Sequence, residues 1–227
     1  MPDSVSELLG HNEHHAHEFE NDRFEEVQDG QAPPFVTVCC SDSRVLQDEL
    51  FDNRTPGEIF TVGAIGNRVY EETADGMAVS GDVLYPLVHA DTETVVVIGH
   101  TGCGAVTATY KDITDGIEEP AGIRHCIDLL KQRLADGVGA LPDGLEESEA
   151  INRLVEYNVD QQVAFLRESD DVPEDTDIVG VVYDFQDVYT DERGLVHVIN
   201  VDGTRDPDQI EAEHPELADR VRRLWTY

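Results

Sequence analysis

Two short stretches hold the residues best suited to chemistry: Cys40-Ser41-Asp42-Ser43-Arg44 and, well downstream, His100-Thr101-Gly102-Cys103. They supply two thiols and an imidazole, with a carboxylate and a guanidinium at alternate positions after the first thiol. Cys40, His100 and Cys103 form a Cys2His donor set with no obvious fourth ligand. That pattern fits a catalytic zinc site with one open position better than a closed structural one. A metal with an open position holds a water, lowers its pKa and so supplies a nucleophile near neutral pH. Two thiolates cancel the charge of a divalent ion, so the acidification is expected to be weaker than in an all-histidine site and activity to rise on the alkaline side. Paired with Arg44, Asp42 stays ionised and can accept a hydrogen bond from a metal-held hydroxide; unpaired, it could swing onto the metal and close the site. Gly102 and Gly104 sharpen the turn around Cys103, and the Gly102 N–H is a candidate oxyanion donor to a small substrate.

Strands must bring these stretches together. Phe35–Cys40 is a short β-branched run after Pro33-Pro34, and Ile59–Gly63 is a second one after the Pro56-Gly57 turn. Thr94–Gly99 is apolar throughout, the mark of a strand covered on both faces in a parallel sheet. Ile178–Tyr183 reads as a fourth strand and Leu195–Val201 as a fifth, joined to it as a hairpin through Asp191–Gly194. Helices are expected over the first thirty residues (Leu8, Leu9, Phe19, Phe24 and Val27 as the apolar stripe), Thr73–His89, Ala105–Tyr110, Ile123–Leu134 and Ser148–Arg167, with a loop at Gly137–Gly144. The predicted class is α/β, a mainly parallel sheet flanked by helices. Cys40 then falls at the carboxyl end of the first strand, and His100 and Cys103 just past that of the third. Open parallel sheets bind ligands at that edge.

Composition narrows the setting. Of 227 residues, 49 are acidic and 15 basic, a formal net charge of -34. Disorder would scatter the apolar residues, yet here they form compact runs with acids such as Glu118-Glu119, Glu146-Glu147 and Asp170-Asp171 between them. A dense acidic shell suits a salt-filled cytoplasm, where screening shortens the range of self-repulsion. The chain is therefore read as halophilic and cytoplasmic, and its charge disfavours nucleic acid and anionic membranes as partners. No apolar run reaches membrane-spanning length, and four cysteines without a signal-like start argue for a reducing compartment.

Cys-Ser-Asp-Ser-Arg followed by Gly-His-Thr-Gly-Cys-Gly-Ala resembles the β-class carbonic anhydrases. The similarity runs from about Phe19 through Val201 and includes Pro56-Gly57-Glu58, Gly66-Asn67 and the Tyr183-Asp184 strand. It implies one domain over residues 1–227, with residues 1–30 as a helical arm laid on a dimer partner. It also implies one zinc ion per subunit on Cys40, His100 and Cys103, an Asp42-Arg44 dyad, and a homodimer or a higher oligomer of dimers. The implied reaction is reversible hydration of carbon dioxide to bicarbonate. Relatives with the same metal site hydrolyse carbonyl sulfide or carbon disulfide, and a non-catalytic zinc-binding or regulatory protein is a third reading. Against that third reading stand Asp42 and Arg44, which a purely structural metal does not need.

The remaining candidates have plainer explanations. Cys39 should point to the opposite face of its strand from Cys40, and Cys126 lies on a helix; both read as small buried hydrophobes. His11, His14, His15 and His17 have the spacing of a second metal site, with a solvated histidine-rich helix as the simpler account. His89, His125 and His197 have no partner nameable from sequence.

Overall fold

A computed structural model describes residues 2–18 and 22–227. Its centre is a five-stranded sheet in the order β2 (Ile59–Ala64), β1 (Phe35–Cys40), β5 (Thr94–His100), β6 (Asp177–Asp184) and β7 (Leu195–Val201). β1, β2, β5 and β6 are parallel, and β7 lies antiparallel on β6. The mainly parallel α/β architecture expected from the alternating pattern is therefore the one observed. On one face, Val36, Val38, Val95 and Val97 pack against α3 (Gly81–His89), α4 (Gly104–Thr114), α5 (Ala121–Ala140) and α6 (Glu147–Arg167). Cys39, Ile98, Val181 and Val198 face the other way, towards Ile210 of α7 (Pro207–Glu213) and Val221. Cys39 and Cys40 thus point to opposite sides of β1, as the strand period requires.

Three sequence expectations need correction. Residues 73–89 are not one helix: β3 (Tyr70–Thr73) and β4 (Gly76–Val79) form a hairpin, and only then does α3 begin. Ala74 and Asp75 turn the chain, and Gly76 follows them at φ +119°, a conformation glycine adopts at little cost. Ser80 then caps α3, its hydroxyl accepting the Asp82 N–H. Next, Gly137 does not open a loop. It lies inside α5 where a Cβ would come within 2.6 Å of the Tyr157 ring, so it is a point of close helix approach rather than a breaker. Lastly, β6 and β7 are joined by residues 185–194 rather than by a tight turn, and that loop winds around Asp184. The buried Asp184 carboxylate accepts the N–H groups of Gln186, Val188 and Tyr189.

The N-terminal stripe is only partly helical. α1 (Pro2–His17) holds Leu8 and Leu9, both exposed, whereas Phe24 and Val27 sit in turns and Phe19 lies outside the described residues. Val27 packs on the Pro56-Gly57 turn, at the place a Gly57 side chain would fill. No described helix is long and apolar enough to cross a membrane.

α6 is buried along much of its length and carries two polar systems into the core. Asn158 donates to the Gly66 carbonyl and to Asn67 Oδ1, and Gln162 donates to Asn158 Oδ1. Glu156 and Asp160 instead seat the segment 221–227. Glu156 accepts from Tyr189 Oη and from the Leu224 and Trp225 N–H groups. Asp160 accepts from Arg223, Asn200 and Tyr227. Burial pushes the Glu156 carboxyl up to about 7, against the pull of Arg223 and these donors.

Candidate metal centre

Parallel pairing of β1 with β5, in register at Cys39 and Ile98, brings their carboxyl ends side by side. Cys40 ends β1, His100 ends β5, and Cys103 is the residue before α4. Their ligand atoms all lie within 4.8 Å of one another, and all three residues are buried. Among the described residues this is the one group of three or more His, Cys, Asp or Glu side chains whose ligand atoms already converge to that distance. The two sulfurs are 3.8 Å apart.

The donors fit a metal ion on evidence internal to the fold. His100 is fully buried, and its Nδ1 lies 3.0 Å from the Thr101 carbonyl. That contact fixes the proton on Nδ1 and leaves Nε2 as a lone pair. Nε2 has no hydrogen-bond partner, an arrangement costly in a protein interior unless something else binds it. Two soft sulfurs and a borderline nitrogen suit zinc. The thiols share one proton between them. Cys40 is drawn down to about 5, chiefly by the hydrogen bond from Cys103 and further by His100 and the Gly66 N–H, and Cys103 is correspondingly pushed up. Cys39, by contrast, is pushed up to about 12 by burial and by the neighbouring Cys40, which makes it inert.

Gly66 donates its N–H to Cys40 Sγ at 3.4 Å. It does so at φ +71°, with the fully buried Leu130 filling the space a Cβ would need, at 2.5 Å. Only glycine meets both demands, and Asn158 on α6 holds its carbonyl from behind.

Asp42 and Arg44 form the pair that their spacing suggests. Arg44 Nε donates to Oδ1 at 2.8 Å and Nη2 to Oδ2 at 2.6 Å, while the Arg44 N–H reaches Oδ1 at 3.0 Å. These bonds hold the Asp42 carboxyl well below the usual carboxylate range. Asp42 Oδ2 is also 3.7 Å from His100 Nε2, so it stands at the edge of the donor cluster. Arg44 Nη2 reaches the Gly102 carbonyl at 3.3 Å, and its guanidinium sits 4.9 Å from the centre of the Phe185 ring. The same ring stacks on His100 at 5.9 Å.

Gly102 has a different task from the one expected. Its N–H donates to Asn152 Oδ1 of α6 at 2.9 Å, so the amide is already engaged and is not an oxyanion donor. Gln186 packs against its α-carbon at positive φ. Gly102 therefore ties the turn bearing Cys103 to α6 and to the loop after β6. Sequence reading missed Asn152, Asn158 and Phe185. For α6 a signal existed: Asn152, Glu156 and Asp160 recur every fourth residue in a helix otherwise rich in apolar residues, which lines polar groups along one buried face. Phe185 gave no signal, because its role depends on how the loop turns around Asp184.

Comparison with known proteins agrees with this geometry. The carbonic anhydrase family model matches residues 35–190, which include all three donors. A carbonic anhydrase from Pseudomonas aeruginosa is 32% identical over 145 residues, 63% of this chain and 63% of that protein. One from Emericella nidulans is 33% identical over 139 residues, 60% of this chain and 56% of that protein. The matched stretch thus spans less than two thirds of either relative. A Coccomyxa β-carbonic anhydrase solved in complex with acetazolamide superposes with a TM-score of 0.71 at 25% identity, covering 92% of this chain and 91% of that one. Matched along the strands that carry both thiols and the imidazole, and alike in fold across nearly its whole length, the chain belongs to the carbonic anhydrase family, in its β class.

Proposed function

We propose that this protein is a zinc-dependent enzyme interconverting carbon dioxide and bicarbonate, with Cys40, His100 and Cys103 holding one ion per subunit. The observation that carries this reading is a buried His100 Nε2 without a partner, clustered with two thiols beside an ion-paired carboxylate. The ion, when bound, supplies an acidified water at its open position and a positive charge for the developing anion. The chain supplies the rest. Gly66 stabilises negative charge on Cys40, and the Thr101 carbonyl orients the imidazole. Arg44 keeps Asp42 ionised and turned into its own fork. In that state Asp42 acts as an acceptor that can orient a hydroxyl at the edge of the cluster and does not have to serve as a ligand.

Stopped-flow hydration of carbon dioxide in molar potassium chloride, on protein of known zinc content, tests the assignment. Fast zinc-dependent hydration supports it. A folded, zinc-loaded sample that is silent towards carbon dioxide but releases sulfide from carbonyl sulfide would replace the substrate while keeping the site.

Phe185 touches both His100 and Arg44, so its proposed role is to position the dyad. A cation–π contact of this kind contributes about 1 kcal/mol, or about fivefold in rate. Phe185→Leu should therefore lower kcat by about that factor while zinc content and KM stay near wild type, and Phe185→Tyr should recover most of the loss. Equal activity in Phe185→Leu would remove the residue from the mechanism.

The acidic shell is read as a salt adaptation and the protein as cytoplasmic. Glu118, Glu119, Glu146, Glu147, Asp170 and Asp171 are all exposed. Lowering salt from about 1 M to about 0.01 M lengthens the Debye distance from about 3 Å to about 30 Å and exposes these charges to one another. Trp225 is the sole tryptophan and is buried. Its emission should shift to the red on dialysis into low salt and return when salt is restored; an unchanged spectrum would refute the adaptation. The working unit is taken as a homodimer, a reading supported by the exposed Val5, Leu8 and Leu9 on α1.

A further inference from the structure

We infer that α1 carries a second metal site, on the face formed by His11, His14, His15 and Glu18, for a borderline divalent cation of the zinc, nickel or copper class. Four of the nine histidines of the chain fall within residues 11–17. At 3.6 residues per turn, His11, His14, His15 and Glu18 share an arc of about 100°. His11 and His15 are one turn apart, as are His14 and Glu18. The second of these pairs is already in contact, with His14 Nε2 3.5 Å from Glu18 Oε1. Two imidazoles at this spacing can close on one ion, and a carboxylate or a third imidazole from the same arc can complete the set. Nitrogen donors select against calcium and magnesium, which prefer all-oxygen shells.

Three further features of the helix favour a cation there. Residues 2–17 contain no lysine or arginine, while the protein as a whole has a net charge of -34. The site is open: His14 and Glu18 are 74% and 70% exposed, and residues 4–18 are exposed throughout. The apolar residues Val5, Leu8 and Leu9 occupy a separate arc, centred about 120° away. A partner docked on that arc does not cover the histidine face. An exposed helix of 16 residues gains little from packing and is marginal in water. An ion spanning one turn should therefore bind and stiffen the helix in the same step, in the way metal binding couples to folding elsewhere.

The test uses the zinc-loaded protein in molar potassium chloride near pH 8, titrated calorimetrically with zinc chloride. A further equivalent, beyond the ion already present, should bind, accompanied by a gain in far-ultraviolet helical signal. In His11→Gln/His15→Gln that equivalent should weaken by about tenfold or more and the helical gain should vanish, with the resident zinc unchanged. Glu18→Gln should weaken it less. Absence of the extra equivalent in the wild type overturns the inference, as does its full retention in the double variant. Neither readout depends on carbon dioxide hydration, so failure here and failure of the proposed activity are distinguishable.

Discussion

Cys40→Ser is expected to release the metal and to lower carbon dioxide hydration by about a thousandfold or more, to the level of the buffer. Serine keeps the shape of the side chain but not its chemistry: a hydroxyl does not ionise at neutral pH, whereas Cys40 is drawn down to about 5. The Gly66 N–H would then face a neutral oxygen, and His100 and Cys103 would be left as two donors, too few to retain zinc against a chelator. Asp42→Asn makes the complementary case. It leaves all three donors in place and should keep one zinc per subunit, yet lower kcat by about a hundredfold, because an amide presents an N–H on one side and no longer grips Arg44 as an ion pair. Zinc analysis and stopped-flow rates on the two variants separate holding the ion from using it. A Cys40→Ser protein that retains stoichiometric zinc after dialysis against chelator would refute the donor assignment, and an Asp42→Asn enzyme of wild-type rate would refute the role of the dyad.

The largest effect on stability should come from Arg223→Ala, at about 3–5 kcal/mol. The Arg223 side chain is 3% exposed and lies between Asp160, at 2.7 Å, and Glu156, at 4.0 Å, whose side chains are 1% and 0% exposed. Removing the guanidinium strands two acids in the core. It also frees the Ile199 carbonyl, to which Arg223 donates. The loss should depend on pH in a definite direction. Glu156 already titrates near 7 because burial outweighs Arg223, so without Arg223 its pKa rises further. A carboxyl whose folded pKa lies above its unfolded one contributes stability below the unfolded pKa and loses it as pH rises through the folded value. Denaturant midpoints should therefore differ between wild type and variant more at about pH 8 than at about pH 5. A larger difference at the acid end would mean that the acids are not stranded.

How far the sequence was legible depended on how local the cause was. Thr94–Gly99 announced a buried parallel strand because six residues without a charge leave few alternatives, and the strand observed ends one residue later. Cys40, His100, Cys103, Asp42 and Arg44 were legible because their side chains are chemically distinctive, and the strand ends had to bring them together. Gly137 misled because a glycine in sequence signals freedom, whereas here the Tyr157 ring, twenty residues away, requires its lack of a side chain. Residues 73–79 misled because Met77 stands at helical spacing from Leu84, Leu87 and Val88 once the turn before Gly76 is overlooked. The engagement of the Gly102 N–H by Asn152 spans fifty residues and could not be read from either stretch alone.

The seat that α6 makes for residues 221–227 also bears on how the molecule is made. Translation delivers Glu156 and Asp160 first, and their partners Leu224, Trp225 and Tyr227 come 67 to 69 residues later. At about 5–20 residues per second that is an interval of about 3–14 s. During it, α6 can pair with β5 and β6, but its two acids have no arginine and no backbone amides to meet. Until then only Tyr189 and Asn200 among the described residues donate to these acids, which keep that side of the sheet hydrated, and residues 221–227 complete the seat. Ribosome-bound chains halted near residue 215 should accordingly be cut by protease within α6, at sites that released chains protect.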